Sequence, residues 1–429
     1  MDRKIVEIKR LKEDFIYLKN KSGLKIFLKP MENFSTAVAI FCTRYGSVNR
    51  SFRKKGSDEF ITVPDGIAHY LEHKLFENED DSVTFELFAK EKALANAETS
   101  FDSTAYYFVS PKKTFVNALK ILLNFVQKPY FTDENVEKER GIIAQEIKMG
   151  EDDPFWNTFF KCLECMYLKS AINIKIAGSV ESIAKIDKEI LYKCYDHFYN
   201  PNNMALVLAG NFKEEEILEL LKTELAEKEA FDVDRIVEEE QKEVVLGFYE
   251  MKMPVKTPVF CIGFKIVPKR KEEILKFKIG FKILLEILFG EGSFLYNLFY
   301  KKGLVLGSQL DYDIFAGGNY FALILNGESY DPKKVLDEIS REIEKKKREG
   351  IGEKEFQLVK KTVYKDIVLE FSTPEKLAGF FTDCYIENSD VSMKIEEIVN
   401  IKKEDILSCL KEIDLKNCSL VVTSPLDED

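Results

Sequence analysis

Short apolar, β-branched runs alternate along this chain with longer stretches whose apolar positions recur every three or four residues. Residues 35–47 (STAVAIFCTRYGS), 102–109 and 203–212 (NMALVLAGNF) read as buried strands bounded by polar residues and glycine. Residues 66–77 open as a helix, and residues 111–128 carry helical spacing up to Pro129. A second long helix is expected over residues 133–150, capped by Thr132 or Asp133 and closed before Pro154. Strands and helices mixed in this order predict an α+β fold.

The pattern then breaks and restarts. Residues 226–243 (AEKEAFDVDRIVEEEQKE) are densely charged with little apolar periodicity, and are expected to link two domains, 1–225 and 244–429. Beyond them, TPVFCIGFKIVP from residue 257 is similar to STAVAIFCTRYG from residue 35. NCSLVVTSPLD from residue 417 is likewise similar to NMALVLAGNFK from residue 203. The offsets, 222 and 214 residues, point to an old duplication of one α+β unit.

Composition narrows the function classes. A chain of 429 residues suits two cores of about 200 residues each. With 45% apolar and 32% charged residues it reads as globular throughout. The net charge of -11 argues against a nucleic-acid partner. No run of about 20 apolar residues predicts a membrane span, and the charged opening MDRKIVEIKRLKEDF is unlike a signal peptide. Eight scattered cysteines, including a single C-x-x-C at Cys162 and Cys165, read as core thiols of a cytoplasmic protein.

The chemistry concentrates in one place. Two of the three histidines fall in His69-Tyr70-Leu71-Glu72-His73. Positions i and i+4 share a helix face, so both imidazoles can reach one ion. Zinc takes nitrogen ligands tetrahedrally, and a catalytic site keeps one position open for water. Glu72, on the same side, is a carboxylate able to take that water's proton. A third ligand must come from elsewhere. Glu139 and Glu146 lie two turns apart on one face of the helix expected over 133–150, so one can bind the metal while the other orients an imidazole.

H-x-x-E-H, with the glutamate third after the first histidine, is the inverzincin order. Residues 66–76 resemble the G-x-x-H-x-x-E-H-x-x-F core of the pitrilysin family of metallopeptidases, which includes insulin-degrading enzyme and the mitochondrial processing peptidase. Asn96-Ala97-Glu98-Thr99-Ser100 and residues 102–108 resemble the family's N-A-x-T segment and its following strand. Residues 139–146, Tyr199-Asn200-Pro201-Asn202-Asn203 and Ala209-Gly210 extend the likeness across the first half. The resemblance implies two tandem homologous domains, each a largely antiparallel sheet packed with helices, forming a half-shell. It implies one zinc ion per chain on His69, His73 and Glu146, with Glu139 behind a ligand and Glu72 as the catalytic base. Asn96, Ala97 and Thr99 would bind substrate on an edge strand, by main-chain pairing.

The expected activity is therefore zinc-dependent endoproteolysis of unfolded peptides in a chamber closed by two half-shells. A non-catalytic subunit or a peptide-binding module of the same fold is the alternative. One departure bears on assembly. The family's second domain carries an Arg and a Tyr that reach substrate in the facing half-shell, where this chain has Tyr300 and Leu306. A dimer is expected, and the departure favours a heterodimer with a paralogue that lacks the zinc motif.

Overall fold

The structure, a computed structural model, describes residues 2–80, 82–268 and 273–427. Strands β1 (Asp2–Ile8), β2 (Glu13–Lys19), β3 (Lys25–Pro30) and β4 (Thr36–Thr43) open the chain. The short β5 (Ser51–Lys54) and β6 (Ile61–Thr62) follow, then β7 (Leu94–Thr99), β8 (Thr104–Pro111), β9 (Met204–Gly210) and the short β10 (Val233–Arg235). Seven of these form one sheet in the order β1-β2-β3-β9-β4-β8-β7, antiparallel except where β3 and β9 run parallel. The central strands are buried on both faces, which is why β4 and β9 read as near-continuous apolar runs.

The second sheet contains β11 (Phe248–Lys252), β12 (Val259–Lys265), β13 (Leu306–Ala316), β14 (Phe321–Glu328) and β15 (Cys418–Ser424), in the order β11-β15-β12-β14-β13. Its pairings are parallel once, between β11 and β15, then antiparallel throughout. The run β3-β9-β4-β8-β7 of the first sheet has the same order and the same polarities. The likeness of residues 35 and 257, and of 203 and 417, is therefore a repeat of topology, with β4 matching β12 and β9 matching β15.

Helices α1 (Ile67–Leu75), α2 (Thr84–Lys90), α3 (Phe115–Gln127) and α4 (Asp133–Glu151) follow in the first half. Leu71 and Leu75 of α1, Leu119 and Leu122 of α3, and Ile143 of α4 join Phe41, Tyr106 and Leu206 of the sheet in one buried core. Each fully buried side chain of this size contributes about 1.5–3 kcal/mol.

The chain divides into two compact units, of residues 1–147, 175–236 and 367–393, and of residues 148–174, 237–366 and 394–429. Their segments interleave, unlike the contiguous division expected above. In the first unit the helix Pro374–Ile386 packs on β4 and β9. In the second, α5 (Pro154–Met166) packs on β12 and β15. Cys162 and Cys165 are buried on α5, and all eight cysteines are free thiols.

The charged stretch 226–243 is more built than a plain linker. Val233–Arg235 is strand β10, paired with β5. Arg235 donates to the Arg44 carbonyl at 2.7 Å and to Asn203 at 2.9 Å. Further on, the Glu240 carboxylate accepts the backbone amides of Leu168, Lys169 and Ser170 and pairs with the buried Lys265 at 3.1 Å. Specific partners thus take up charge that composition alone assigns to solvent.

Candidate metal centre

Helix α1 begins where the chain needs a left-handed residue. Gly66 has φ +89°, and a Cβ there would stand 2.3 Å from the Ala177 carbonyl oxygen. From that start, the 3.6-residue turn aims Ile67, Leu71 and Leu75 into the core and turns His69 and His73 outward, their ring centres 4.6 Å apart.

Three contacts hold α4 against α1. The Tyr70 hydroxyl donates to the Val136 carbonyl. The Lys74 ammonium, fully buried, donates to the Asn135 carbonyl at 2.9 Å and pairs with Glu77 at 2.8 Å. The His73 Nδ1 meets a Glu139 oxygen at 2.9 Å. Thr132 caps α4, its hydroxyl accepting the Asn135 amide at 3.1 Å. Sequence reasoning missed Tyr70 and Lys74. A lysine on an otherwise apolar helix face was the available signal.

So docked, α4 brings Glu146 to both imidazoles. Its two carboxylate oxygens lie 3.3 Å from His69 Nε2 and 3.4 Å from His73 Nε2. His69, His73 and Glu146 are the only group among the described residues whose donor atoms gather tightly enough to hold a metal, all within 4.8 Å of one another. Zinc–nitrogen bonds of about 2.0–2.1 Å set tetrahedral donors roughly 3.3 Å apart. The carboxylate lies at that spacing from each nitrogen, a donor set that fits zinc.

Protonation follows the same contacts. Burial opposes charge on His73, yet its hydrogen bonds to Glu139 and Glu146 raise its pKa to about 10. Hydrogen bonds to His69 and His73 hold the Glu146 carboxyl far below the usual carboxylate range. Burial would raise Glu139, but its bond to His73 outweighs that and lowers it. Carboxylates facing both imidazoles favour positive charge at this point, which a metal cation would supply in place of protons.

Glu72 stands on the same helix, 8% exposed, and its Oε2 accepts the Thr99 hydroxyl at 2.7 Å. Thr99 lies on β7, the end strand of the sheet, which among the described residues pairs only with β8. Asn96 and Ala97 also lie on β7, and the Asn96 side-chain oxygen accepts the Ala97 amide at 2.9 Å. Thr99, expected to bind substrate, therefore touches the expected base. His197, the third histidine, faces the Lys193 carbonyl at 2.7 Å and packs on Phe52. In the second unit, Tyr300 is 74% exposed and Leu306 opens β13.

Comparison with known proteins agrees with this geometry. The model of the family described as Insulinase (Peptidase family M16) matches residues 62–172, and that of the Peptidase M16 inactive domain matches residues 185–363. The protein "Uncharacterized zinc protease YmfH" of Bacillus subtilis is 36% identical over 414 residues, covering 95% of this chain and 96% of that protein. The crystal structure of a putative M16-like peptidase from Alicyclobacillus acidocaldarius superposes with a TM-score of 0.90 at 30% identity, over 99% of both chains. Pitrilysin shares the fold with a TM-score of 0.76 at 15% identity, 99% of this chain covering 47% of that one. Motif, repeated topology and full-length similarity together establish that this chain belongs to peptidase family M16, the insulinase family.

Proposed function

We propose that the chain is a zinc-dependent endopeptidase acting on unfolded peptides, with one zinc ion held by His69, His73 and Glu146. The convergence of those three donors beside Glu72 carries this reading. When bound, zinc lowers the pKa of a water molecule toward neutrality and polarises a carbonyl. The Glu72 carboxylate accepts the water's proton and delivers it to the departing amine. Thr99 holds one oxygen of that carboxylate, leaving the other to receive the proton. Glu139 accepts a hydrogen bond from His73 Nδ1, so that Nε2 keeps its lone pair for the metal.

The substrate extends β7 as a further strand. The outer edge of β7 is unpaired among the described residues, and an extended peptide satisfies it by main-chain bonds with little choice of side chain. Correspondence to about half of pitrilysin supports a chamber built from two such chains. Tyr300 and Leu306, standing where the family resemblance leads one to expect Arg and Tyr, favour a second chain of different sequence. Eight free thiols suit a reducing, cytoplasmic setting.

The test is to incubate the zinc-loaded chain, with and without a candidate partner, with a peptide mixture and read the products by mass spectrometry. New internal cleavages that vanish in Glu72→Gln support the reading. Unchanged peptide lengths under every condition refute it.

A further inference from the structure

The first unit carries a concavity on its sheet, and strand register builds the floor. Lys4 of β1 pairs with Tyr17 of β2, Tyr17 pairs with Phe27 of β3, and Val6 pairs with Phe15. Residues two apart on a strand share a face. Lys4, Val6, Phe15, Tyr17, Lys25 and Phe27 thus line one cavity of about 330 Å³. Its wall is Tyr385, at the end of the helix Pro374–Ile386, with residues 388–391 beyond. The floor is aromatic: the Phe27 ring lies 5.5 Å from Tyr17 and 6.0 Å from Phe15.

The charge of this lining runs against that of the chain. In a protein of net charge -11, three cations, Lys4, Lys25 and Arg44, line the cavity with a single carboxylate, Asp390, among the described residues. Asp390 is already engaged, its Oδ1 accepting the amides of Ser392 and Met393 at 2.8 and 3.1 Å. The Lys25 ammonium and the Arg44 guanidinium approach the same Tyr385 ring, at 5.4 and 4.0 Å from its centre. Lys25 also stands directly opposite Lys19 across the β2–β3 ladder.

Arg44 has a structural duty, donating from Nε at 3.1 Å and from a second nitrogen to the Tyr385 carbonyl at the helix end. Lys25 has none. Neither Lys4 nor Lys25 forms an ion pair with any carboxylate among the described residues. Burial lowers the Lys25 pKa, and repulsion from Arg44 and Lys19 lowers it further. Like charges gathered on a part-buried apolar surface destabilise the fold unless an anion offsets them.

We propose that this groove binds a small anion, a phosphate or carboxylate carried on a flat apolar body. The head group would meet Lys25 and Lys4, and the flat body would lie on Tyr17 and Phe27. A cavity of this size holds one small molecule, close to the lower end of ordinary ligand pockets at roughly 300 Å³.

Titration calorimetry on the zinc-loaded full chain tests this, with phenyl phosphate, benzoate, inorganic phosphate and benzyl alcohol as probes. One aromatic anion per chain is expected to bind, and the tighter of the two identifies the head group. Inorganic phosphate and benzyl alcohol, each lacking half of the recognition, are expected to bind at least about ten-fold more weakly. Lys25→Gln should weaken the aromatic anion by about ten-fold or more, while Lys25→Arg keeps it. Tyr17→Ser should weaken phenyl phosphate and leave inorganic phosphate unchanged. Absence of saturable binding by both aromatic anions overturns the proposal. So does an affinity unchanged in Lys25→Gln, or one lost in His69→Ala and kept in Lys25→Gln, which would place the anion at the metal centre.

Discussion

The hydroxyl of Thr99 donates to Glu72 across 2.7 Å, joining the last strand of the first sheet to the helix that carries both histidines. A carboxylate with one oxygen held this way presents the other in a single direction. Thr99→Val should therefore lower kcat by roughly ten-fold, the scale of one hydrogen bond to a charged group, with KM and zinc content little changed. Thr99→Ser should restore most of the rate. Steady-state kinetics on a fluorogenic peptide reads the split, and an effect on KM alone would return Thr99 to the substrate-binding role expected from sequence.

Glu72→Gln removes the proposed base and leaves His69, His73 and Glu146, the proposed ligands, in place. Zinc measured after dialysis should remain near one per chain, while peptide hydrolysis falls by about 10²- to 10⁴-fold. Near wild-type cleavage by this variant would show that another group takes the proton.

The two glutamates of α4 should separate by metal affinity. Glu146 faces both Nε2 atoms and Glu139 only the Nδ1 of His73. Glu146→Gln should lose zinc on dialysis. Glu139→Gln should retain it with affinity reduced by about 10- to 100-fold. Competition with a chelator of known affinity ranks them, and the opposite order would exchange their roles.

Lys74→Met tests the docking of α4 on α1. It keeps most of the side-chain volume but leaves the Asn135 carbonyl and Glu77 without their buried partner. A loss of about 1–3 kcal/mol is expected, visible as a lower Tm, together with weaker zinc binding because Glu146 is less firmly placed. An unchanged Tm with unchanged zinc affinity would show that packing alone holds the helices.

Activity should rise when a paralogue bearing the missing Arg and Tyr is added. In the proposed two-chain chamber the facing chain positions the substrate backbone, a contribution of several kcal/mol of barrier, and Tyr300 and Leu306 do not reproduce the Arg and Tyr expected there. The peptidase rate of the purified chain before and after addition measures this. Full activity alone, unaffected by any partner, would mean that two copies suffice.

Much of the site was legible because it is local. Helical spacing makes His69 and His73 neighbours and stacks Glu139 and Glu146 on one face, whatever the rest of the chain does. The recurrence of apolar strand patterns at residues 35 and 257 announced the repeated sheet for the same reason, since burial on both faces is written into consecutive residues. Those features belong to the sequence by itself. Helical spacing left open which glutamate meets both imidazoles, and the resemblance named Glu146; what brings it there is the packing of α1 and α4, which are separated by more than fifty residues and meet through Tyr70, Lys74 and His73. Only the tertiary structure decided that Thr99 faces Glu72, that α5 and the helix Pro374–Ile386 interleave the two units, and that Lys25 lies beside Arg44. Each of these depends on packing between distant segments, where a side chain's partner is set by the fold and leaves no periodic trace in the chain.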